Sequence, residues 1–271
     1  MHIRRAAYKT ATSLFLASQL DQLLKLMIKR HIVLAYHSVP AKAIGYYDVA
    51  AEHFERQLEY LRKNYDLVTV NSIVDHTRSN PNYRKPKIAL TFDDGYENHY
   101  SIVYPLLKRH RIPAVFFITT EYVARKGMLD WDQIIEMARS PFVEIGCHSY
   151  SHPDLTSLSS SAILEEVKVS KEILEEKLKK KVNLFSYPGG CYNNDVKKIV
   201  EFCGYRGALT GLIRFNKDDP YEIRRIWLCS KTQELNYFIF WILRALLTDL
   251  DEYQACVPET LDEMLNLVKE R

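Results

Sequence analysis

Short apolar segments that alternate with amphipathic helices constrain the fold of this chain more than any other feature. Segments typical of buried strands occupy residues 31–36, 67–70, 88–92, 114–119, 143–147 and 182–187. Helical periodicity marks residues 52–65, 102–110, 159–180 and 197–202. Strands that alternate with helices predict a parallel sheet covered by helices, and 271 residues suffice for one barrel-sized domain.

Two adjacent carboxylates, Asp93 and Asp94, come directly after the apolar segment 88–92 and before Gly95. Successive side chains of a strand point to opposite faces, so neighbouring acids serve one site only where the strand ends. Gly95 supplies the sharp turn that such an end requires. Because two acids at the mouth of a buried strand are costly when nothing binds them, we expect a metal ion for one and a proton for the other.

Two histidines four residues apart, His148 and His152, follow the segment 143–147. Such a pair can bind one ion, either on a helical turn or in a loop, and Pro153 favours the loop because it stops a regular helix. With Asp94 the set becomes two histidines and one carboxylate. That set leaves metal positions open for water and substrate, as in catalytic sites.

All of these residues follow predicted strands, and so do His37 and the segment 187–189. In parallel barrels the catalytic residues lie where the strands end. We therefore expect one shared cavity. A glycosidase that uses Asp93 and Asp94 is disfavoured, because adjacent carboxylates rarely flank a bond at the required ~5 to 9 Å separation.

The motifs Thr-Phe-Asp-Asp-Gly (91–95) and His-Ser-Tyr-Ser-His-Pro (148–153) resemble those of the polysaccharide deacetylase family, also known by its NodB homology and as carbohydrate esterase family 4. Segments 36–39 and 185–190 resemble the branch of poly-β-1,6-N-acetylglucosamine deacetylases. The resemblance covers residues 31–228. It implies an α/β fold, a distorted (β/α) barrel with fewer than eight complete units. It also implies metal-dependent hydrolysis of N-acetyl groups on sugars, a reaction at non-peptide carbon–nitrogen bonds.

The same resemblance assigns roles. Asp94, His148 and His152 would bind a divalent metal, with Zn²⁺ expected and Co²⁺, Ni²⁺ or Mn²⁺ as alternatives, and Asp93 would be the general base. The backbone N–H of Gly189, with Tyr187 in the same motif, would stabilise the tetrahedral oxyanion.

The third motif of the family, Arg-x-Pro-x-Gly, has Ser186 in place of its arginine. In the family that arginine orients the catalytic aspartate. Arg225 is our candidate replacement, because a later Arg-Ile strand recurs in the same branch and a guanidinium can hold a carboxylate by two parallel bonds. The alternative is that Arg225 is a surface arginine.

The final family motif, Leu-x-His, is absent, because no histidine follows His152. That motif supplies the general acid in the family. His37 could replace it, since a histidine titrates near neutrality and can give a proton to an amine. The alternative is that His37 only hydrogen-bonds its own turn. Trp131 is predicted either to stack on a sugar or to pack in the core.

Composition limits the partners and the compartment. The net charge of +3 is too small to indicate nucleic acid as a partner. Five cysteines without Cys-x-x-Cys spacing do not suggest a disulfide framework, so we expect reduced thiols and a cytoplasmic protein. Cys147 is expected to be a small core residue facing away from the metal.

The termini are the candidates for appendages, which gives three predicted parts: residues 1–30, 31–232 and 233–271. Residues 1–30 have an apolar stripe flanked by six basic side chains and no convincing cleavable signal peptide. They are interpreted either as a helix docked on the barrel or as a peripheral contact with the anionic inner membrane surface, and export is the alternative. The apolar run 237–247 is shorter than the about 20 residues that span a bilayer, so it is either an interfacial contact or the last barrel helix.

These observations favour a metal-dependent N-deacetylase that acts on an N-acetylated glycan or lipid-linked sugar, in polysaccharide or envelope synthesis. One alternative keeps the fold and changes the amide, giving a deformylase or deacylase of a lipid-linked sugar or a small-molecule amidohydrolase. Another is a non-catalytic sugar-binding protein. The missing Leu-x-His motif supports that last alternative, whereas the intact Asp93 and metal set argue against it.

Overall fold

A computed structural model describes residues 31–77, 86–211 and 219–247 of the chain. Parallel strands form the centre of this part. They are β1 (His31–Tyr36), β2 (Asp66–Leu67), β3 (Lys87–Phe92), β4 (Ala114–Ile118), β5 (Val143–Cys147), β6 (Leu184–Ser186), β7 (Gly207–Thr210), β8 (Ile223–Arg224) and β9 (Ile226–Trp227).

The helices alternate with these strands, as the periodicity predicts. They are α1 (Ala51–Asn64), α2 (Val70–Thr77), α3 (Tyr104–His110), α4 (Trp131–Ala138), α5 (Ser160–Leu178), α6 (Asn194–Phe202) and α7 (Leu235–Leu247). Polar residues cap several of their first turns. Asp130 and Gln133 form a reciprocal capping box on α4, and the Asn193 side chain accepts from two amides of α6.

One bent segment closes the sheet into a barrel. The strand order is β8-β7-β6-β5-β4-β3-β1-β9, and the strands at its two ends, β8 and β9, are separated in sequence only by Arg225. Arg224 pairs with Thr210 of β7, and Ile226 pairs with Leu34 of β1. The result is a nearly closed, distorted (β/α) barrel, which confirms the predicted fold class.

The two faces of the strands form separate apolar clusters. Inward-facing residues fill the barrel: Val33, Ala89, Val115, Phe117, Leu184, Leu209 and Ile223. Outward-facing residues such as Leu34, Phe92 and Phe116 pack under the helices. Because of this alternation, only every second side chain near the end of a strand is directed towards the barrel interior.

Helix α2 closes the end of the barrel where the strands begin. Its Val70, Ile73 and Val74 join the inner apolar cluster. The predicted strand 67–70 is therefore wrong beyond Leu67. The β-branched run from Val68 to Val70 favours a strand locally, but burial of one face inside the barrel favours the helix.

The C-terminal apolar run packs on the barrel. Phe238, Ile239, Trp241 and Ile242 are buried in α7, which contacts α1 and β1. Within the described ranges, no helix combines the length and apolarity that a bilayer crossing requires. The predicted appendage 1–30 lies outside the described residues, as do 248–271, and the three-part division stays a prediction.

Gly146 tests how tightly the barrel interior is packed. A Cβ added there would lie 2.4 Å from two ring carbons of Phe117, whose side chain is fully buried. Gly146→Ala should therefore destabilise the fold by about 1 to 3 kcal/mol, the usual cost of overpacking. Gly45→Ala is the control, since its Cβ would make only ordinary contacts with Asp48. Denaturant unfolding measures both, and equal midpoints would mean that the Phe117 ring moves aside.

Candidate metal centre and active site

The predicted polar residues meet at the end of the barrel where the strands finish. His37 follows β1, Asp93 and Asp94 follow β3, and His148 follows β5. All four are buried, with at most 8% of each residue exposed. Burial of so many titratable groups in one place is costly unless they bind one another or a ligand.

Asp94, His148 and His152 converge on one point. Their potential ligand atoms all lie within 4.8 Å of one another. The Oδ1 atom of Asp94 is 3.6 Å from Nε2 of His148 and 3.5 Å from Nε2 of His152. Asp94 and His152 adopt left-handed backbone conformations, with φ of 73° and 62°. Such strain in non-glycine residues persists only where the surrounding structure enforces it, and it is common at functional sites.

These three residues fit a divalent cation. The Nδ1 atom of His148 lies 2.7 Å from the carbonyl oxygen of Ser186, which can only accept. Nδ1 therefore carries the proton, and the lone pair of Nε2 faces Asp94. Burial lowers the pKa of His148 to about 4, so the imidazole is neutral, as a ligand must be. Tetrahedral ligands of Zn²⁺ at about 2.0 to 2.2 Å stand about 3.3 to 3.6 Å apart, which matches the 3.6 and 3.5 Å between Asp94 and the two imidazoles.

Arg225 holds Asp93 from the closing segment of the barrel. Its Nη1 donates to Oδ1 of Asp93 at 2.7 Å and its Nη2 donates to Oδ2 at 2.8 Å. It also donates to Ser186 and to Thr91, at 2.8 and 3.2 Å. The predicted contact between Arg225 and Asp93 is thus present, and the alternative of a surface arginine is wrong.

This ion pair sets the charge of Asp93. Burial alone raises the pKa of Asp93, but the Arg225 guanidinium holds that pKa well below its usual range. The carboxylate is therefore ionised at neutral pH. Its Oδ2 is 3.9 Å from Nε2 of His148, so it lies beside the candidate metal ligands.

His37, at the end of β1, packs against two aromatic rings. Its ring is 4.8 Å from the ring of Tyr47 and 5.8 Å from that of Trp227. His99 fixes the backbone beneath it, with Nε2 2.7 Å from the carbonyl oxygen of His37. His37 is close enough to Asp93 to affect its pKa, which is consistent with either predicted role for His37.

Gly189 is exposed and follows β6, the strand that ends at Ser186. Its φ of 60° is left-handed, and a Cβ built there would meet no atom within 4 Å. A substrate can therefore approach this backbone closely. The neighbouring Gly190 has the opposite environment, since a Cβ there would lie 2.3 Å from the backbone of Gly211.

The structure does not bring Tyr187 or Trp131 to the site. Tyr187 is fully buried in the outer cluster, its hydroxyl donates to the carbonyl of Tyr221 and its N–H donates to that of Leu209. Because Ser186 faces inward, its neighbour must face outward. The ring of Trp131 lies under the ammonium group of Lys177, near the C-terminal end of α5. It packs against the core, as the alternative to sugar stacking predicted.

Several residues that contact the predicted site residues were missed, among them Ser186, Thr91 and Trp227. Ser186 and Thr91 share the Arg225 guanidinium. Both face inward by strand alternation, a signal that the sequence contains. Trp227 forms a wall beside His37, and its indole fills the space over Gly190 and Gly211. No local sequence signal indicates that packing, because the glycines are distant in sequence.

Comparisons with known proteins agree with this geometry. Residues 80–208 match the family model of polysaccharide deacetylases. The chain is 27% identical to YxkH of Bacillus subtilis, which is named as a polysaccharide deacetylase, over 66% of this chain and 63% of that protein. It is 26% identical to the poly-β-1,6-N-acetyl-D-glucosamine N-deacetylase of Staphylococcus aureus, over 63% of each chain. The structure of IcaB from Ammonifex degensii matches with a TM-score of 0.68 and 25% identity, over 76% of this chain and 94% of that one.

Residues 80–208 therefore form a polysaccharide deacetylase domain. The matched residues include Asp93, Asp94, His148 and His152. His37 and Arg225 lie outside them. The chain spans 63% of the length of the two curated relatives named above.

Metal analysis of variants separates the two acids. Asp94→Ala, His148→Ala and His152→Ala should each lose bound metal, because two protein ligands are too few to hold it. Asp93→Asn should keep the metal, since its carboxylate is engaged by Arg225. Elemental analysis of the purified proteins after dialysis measures the metal content. A metal-free Asp93→Asn beside a metal-loaded Asp94→Ala would reverse the two assignments.

Proposed function

We propose that this protein is a metal-dependent N-deacetylase that hydrolyses the N-acetyl amide of an amino sugar in a polysaccharide or glycolipid. The observation that carries the proposal is the convergence of Asp94, His148 and His152 beside the Asp93–Arg225 pair. The relative from Staphylococcus aureus, by name a deacetylase of poly-β-1,6-N-acetyl-D-glucosamine, supports exopolysaccharide synthesis as the setting.

Zn²⁺ is the ion we propose, with Co²⁺, Ni²⁺ or Mn²⁺ as substitutes, because two imidazoles and one carboxylate suit all of them. Such an ion supplies Lewis acidity, polarising a carbonyl oxygen and lowering the pKa of a water molecule to about 7. The chain's own contribution is to hold the three ligands in place and to keep His148 neutral.

Asp93 acts as the general base that takes the proton of the attacking water. Arg225 fixes both carboxylate oxygens and keeps the group ionised, so that the base is oriented before substrate binds. The N–H of Gly189 stabilises the developing oxyanion of the amide carbonyl, the role that the family resemblance implies for this position. The open space at Gly189 supports this role, because the acetyl group must approach that backbone closely.

His37 gives a proton to the leaving amine. Its position at the end of β1 and its closeness to Asp93 support this role in place of the absent Leu-x-His histidine. The contact from His99 holds the backbone of His37, which limits the positions that its imidazole can take.

Acetate release tests the function directly. The full-length protein is incubated with N-acetylated oligosaccharides, including β-1,6-linked N-acetylglucosamine, and with lipid-linked sugars, with and without a chelator. We expect release that the chelator abolishes, that added Zn²⁺ restores, and that Asp93→Asn lacks. Binding of these sugars without any release would indicate a non-catalytic sugar-binding protein instead.

His37→Ala should fold and bind metal but hydrolyse its substrate about 10² to 10⁴ times more slowly, the range for a lost general acid or base. A substrate with a better leaving group should recover part of the rate, because it needs less protonation. His53→Ala is the control, since this histidine lies on α1 near Glu234. Steady-state kinetics of both variants decide the matter, and an unchanged rate for His37→Ala would exclude it as the acid.

We also propose a cytoplasmic location with peripheral contact to the anionic inner membrane surface. The support is the basic, apolar-striped segment 1–30, each of whose Lys or Arg residues near such a surface adds about 1 kcal/mol. Sedimentation with anionic vesicles should show binding that falls at high salt and disappears when residues 1–28 are deleted. An insoluble deletion protein would instead show that the segment packs against the barrel.

A further inference from the structure

Glu166 of α5 reaches across to the loop that carries His148 and His152. Its Oε2 accepts hydrogen bonds from the backbone N–H groups of Tyr150 and Ser151, at 3.0 and 2.8 Å. Its Oε1 accepts from the hydroxyl of Ser151 at 2.6 Å. One carboxylate thus satisfies three donors in the two residues that directly precede His152.

The backbone of the loop from Ser149 to His152 is in an unfavourable conformation that contacts of this kind stabilise. Ser149 and His152 both have left-handed backbones, with φ of 64° and 62°. Carbonyl groups on the other side of the loop accept from the chain after β4, where Glu121 N–H donates to Tyr150 at 2.9 Å. The loop is therefore held between α5 and the segment after β4. Glu166 accepts hydrogen bonds from the loop's N–H groups, and N–H groups of the segment after β4 donate to the loop's carbonyl oxygens.

Glu166 is itself anchored to the strand that ends at the metal ligands. The hydroxyl of Ser170, one turn along α5, lies 2.7 Å from the carbonyl oxygen of Glu166 and 2.9 Å from Sγ of Cys147. Cys147 is the residue before His148. Helix α5 is thus attached to the end of β5 at Cys147 and to the metal loop itself at Tyr150 and Ser151.

We propose that Glu166 is a positioning residue for the metal centre, which presets the loop so that His152 meets His148 and Asp94 before metal binds. The inference rests on the proposed metal-dependent function. Glu166 acts through the backbone and hydroxyl of the loop. Its expected effect is therefore on metal affinity, and the fold of the metal-free barrel should change little.

The test measures metal affinity and metal-free stability together in the full-length protein. Glu166→Ala removes all three acceptor contacts, whereas Glu166→Gln keeps an oxygen for the amides and an amide group for the hydroxyl, which can also accept. Glu165→Ala is the matched control, because the exposed Glu165 is the adjacent residue of the same helix. Competition with a chromophoric chelator gives the Zn²⁺ and Co²⁺ affinities, and thermal unfolding after metal removal gives the stability.

Glu166→Ala should bind metal about 10 to 100 times more weakly than the native protein, the usual effect of losing a group that orients metal ligands. Glu166→Gln should recover most of that loss, and Glu165→Ala should be unaffected. Metal-free Tm should be similar in Glu166→Ala and Glu165→Ala. Native affinity in Glu166→Ala would overturn the inference, and so would a loss of affinity that the Gln variant does not recover at all.

Ser151→Ala keeps the inference testable if Glu166→Ala does not fold. This change removes only the 2.6 Å hydroxyl contact, and we expect a several-fold weaker metal affinity with an unchanged fold. Native affinity in Ser151→Ala would then overturn the inference. If the native protein itself binds no metal, the proposed function fails, which is a different outcome from failure of the role of Glu166.

Discussion

The ion pair between Asp93 and Arg225 connects the segment that closes the barrel with the candidate active site. Arg225 is the one residue between β8 and β9, where a single bent segment stops pairing with β7 and begins pairing with β1. Its guanidinium turns inward at that bend and meets a carboxylate that would otherwise be buried without a counter-charge. Removing one partner of a buried pair typically costs about 3 to 5 kcal/mol, so each group depends on the other for its place.

The inward and outward faces of the strands explain which residues reach the site. The inner face has apolar side chains through the middle of the barrel. It is polar where β5 begins, since Glu144 accepts from Asn71 of α2 there, and again at the ends of the strands, with Thr91, Asp93 and Ser186. The outer face stays apolar to the same level, as Phe92 and Tyr187 show. The polar network is therefore surrounded by aromatic and aliphatic packing, which strengthens its hydrogen bonds and raises the cost of an unpaired member.

Much of this arrangement could be predicted from the sequence, because it follows from strand ends. Asp94, His148 and His152 meet as expected since parallel strands finish at one end of a barrel. The contact of Arg225 with Asp93 was predicted from the resemblance, because a later Arg-Ile strand recurs in the deacetylase branch and a guanidinium can hold a carboxylate. Tyr187 was placed wrongly, although the inward position of Ser186 already required it to face outward. The helix α2 and the wall formed by Trp227 depend on packing between distant segments, which no local pattern reports.

The position of Arg225 late in the sequence also has a consequence for the newly made chain. All three candidate metal ligands leave the ribosome before Arg225, and so does Asp93. Contacts between distant parts of a chain form slowly, and those of the closing segment join β7 and β1 across most of the domain. A nascent or incompletely closed molecule can therefore gather its metal ligands while Asp93 still lacks its counter-charge. Binding of a metal and competence for hydrolysis would then be acquired as two separate events in the maturation of this protein.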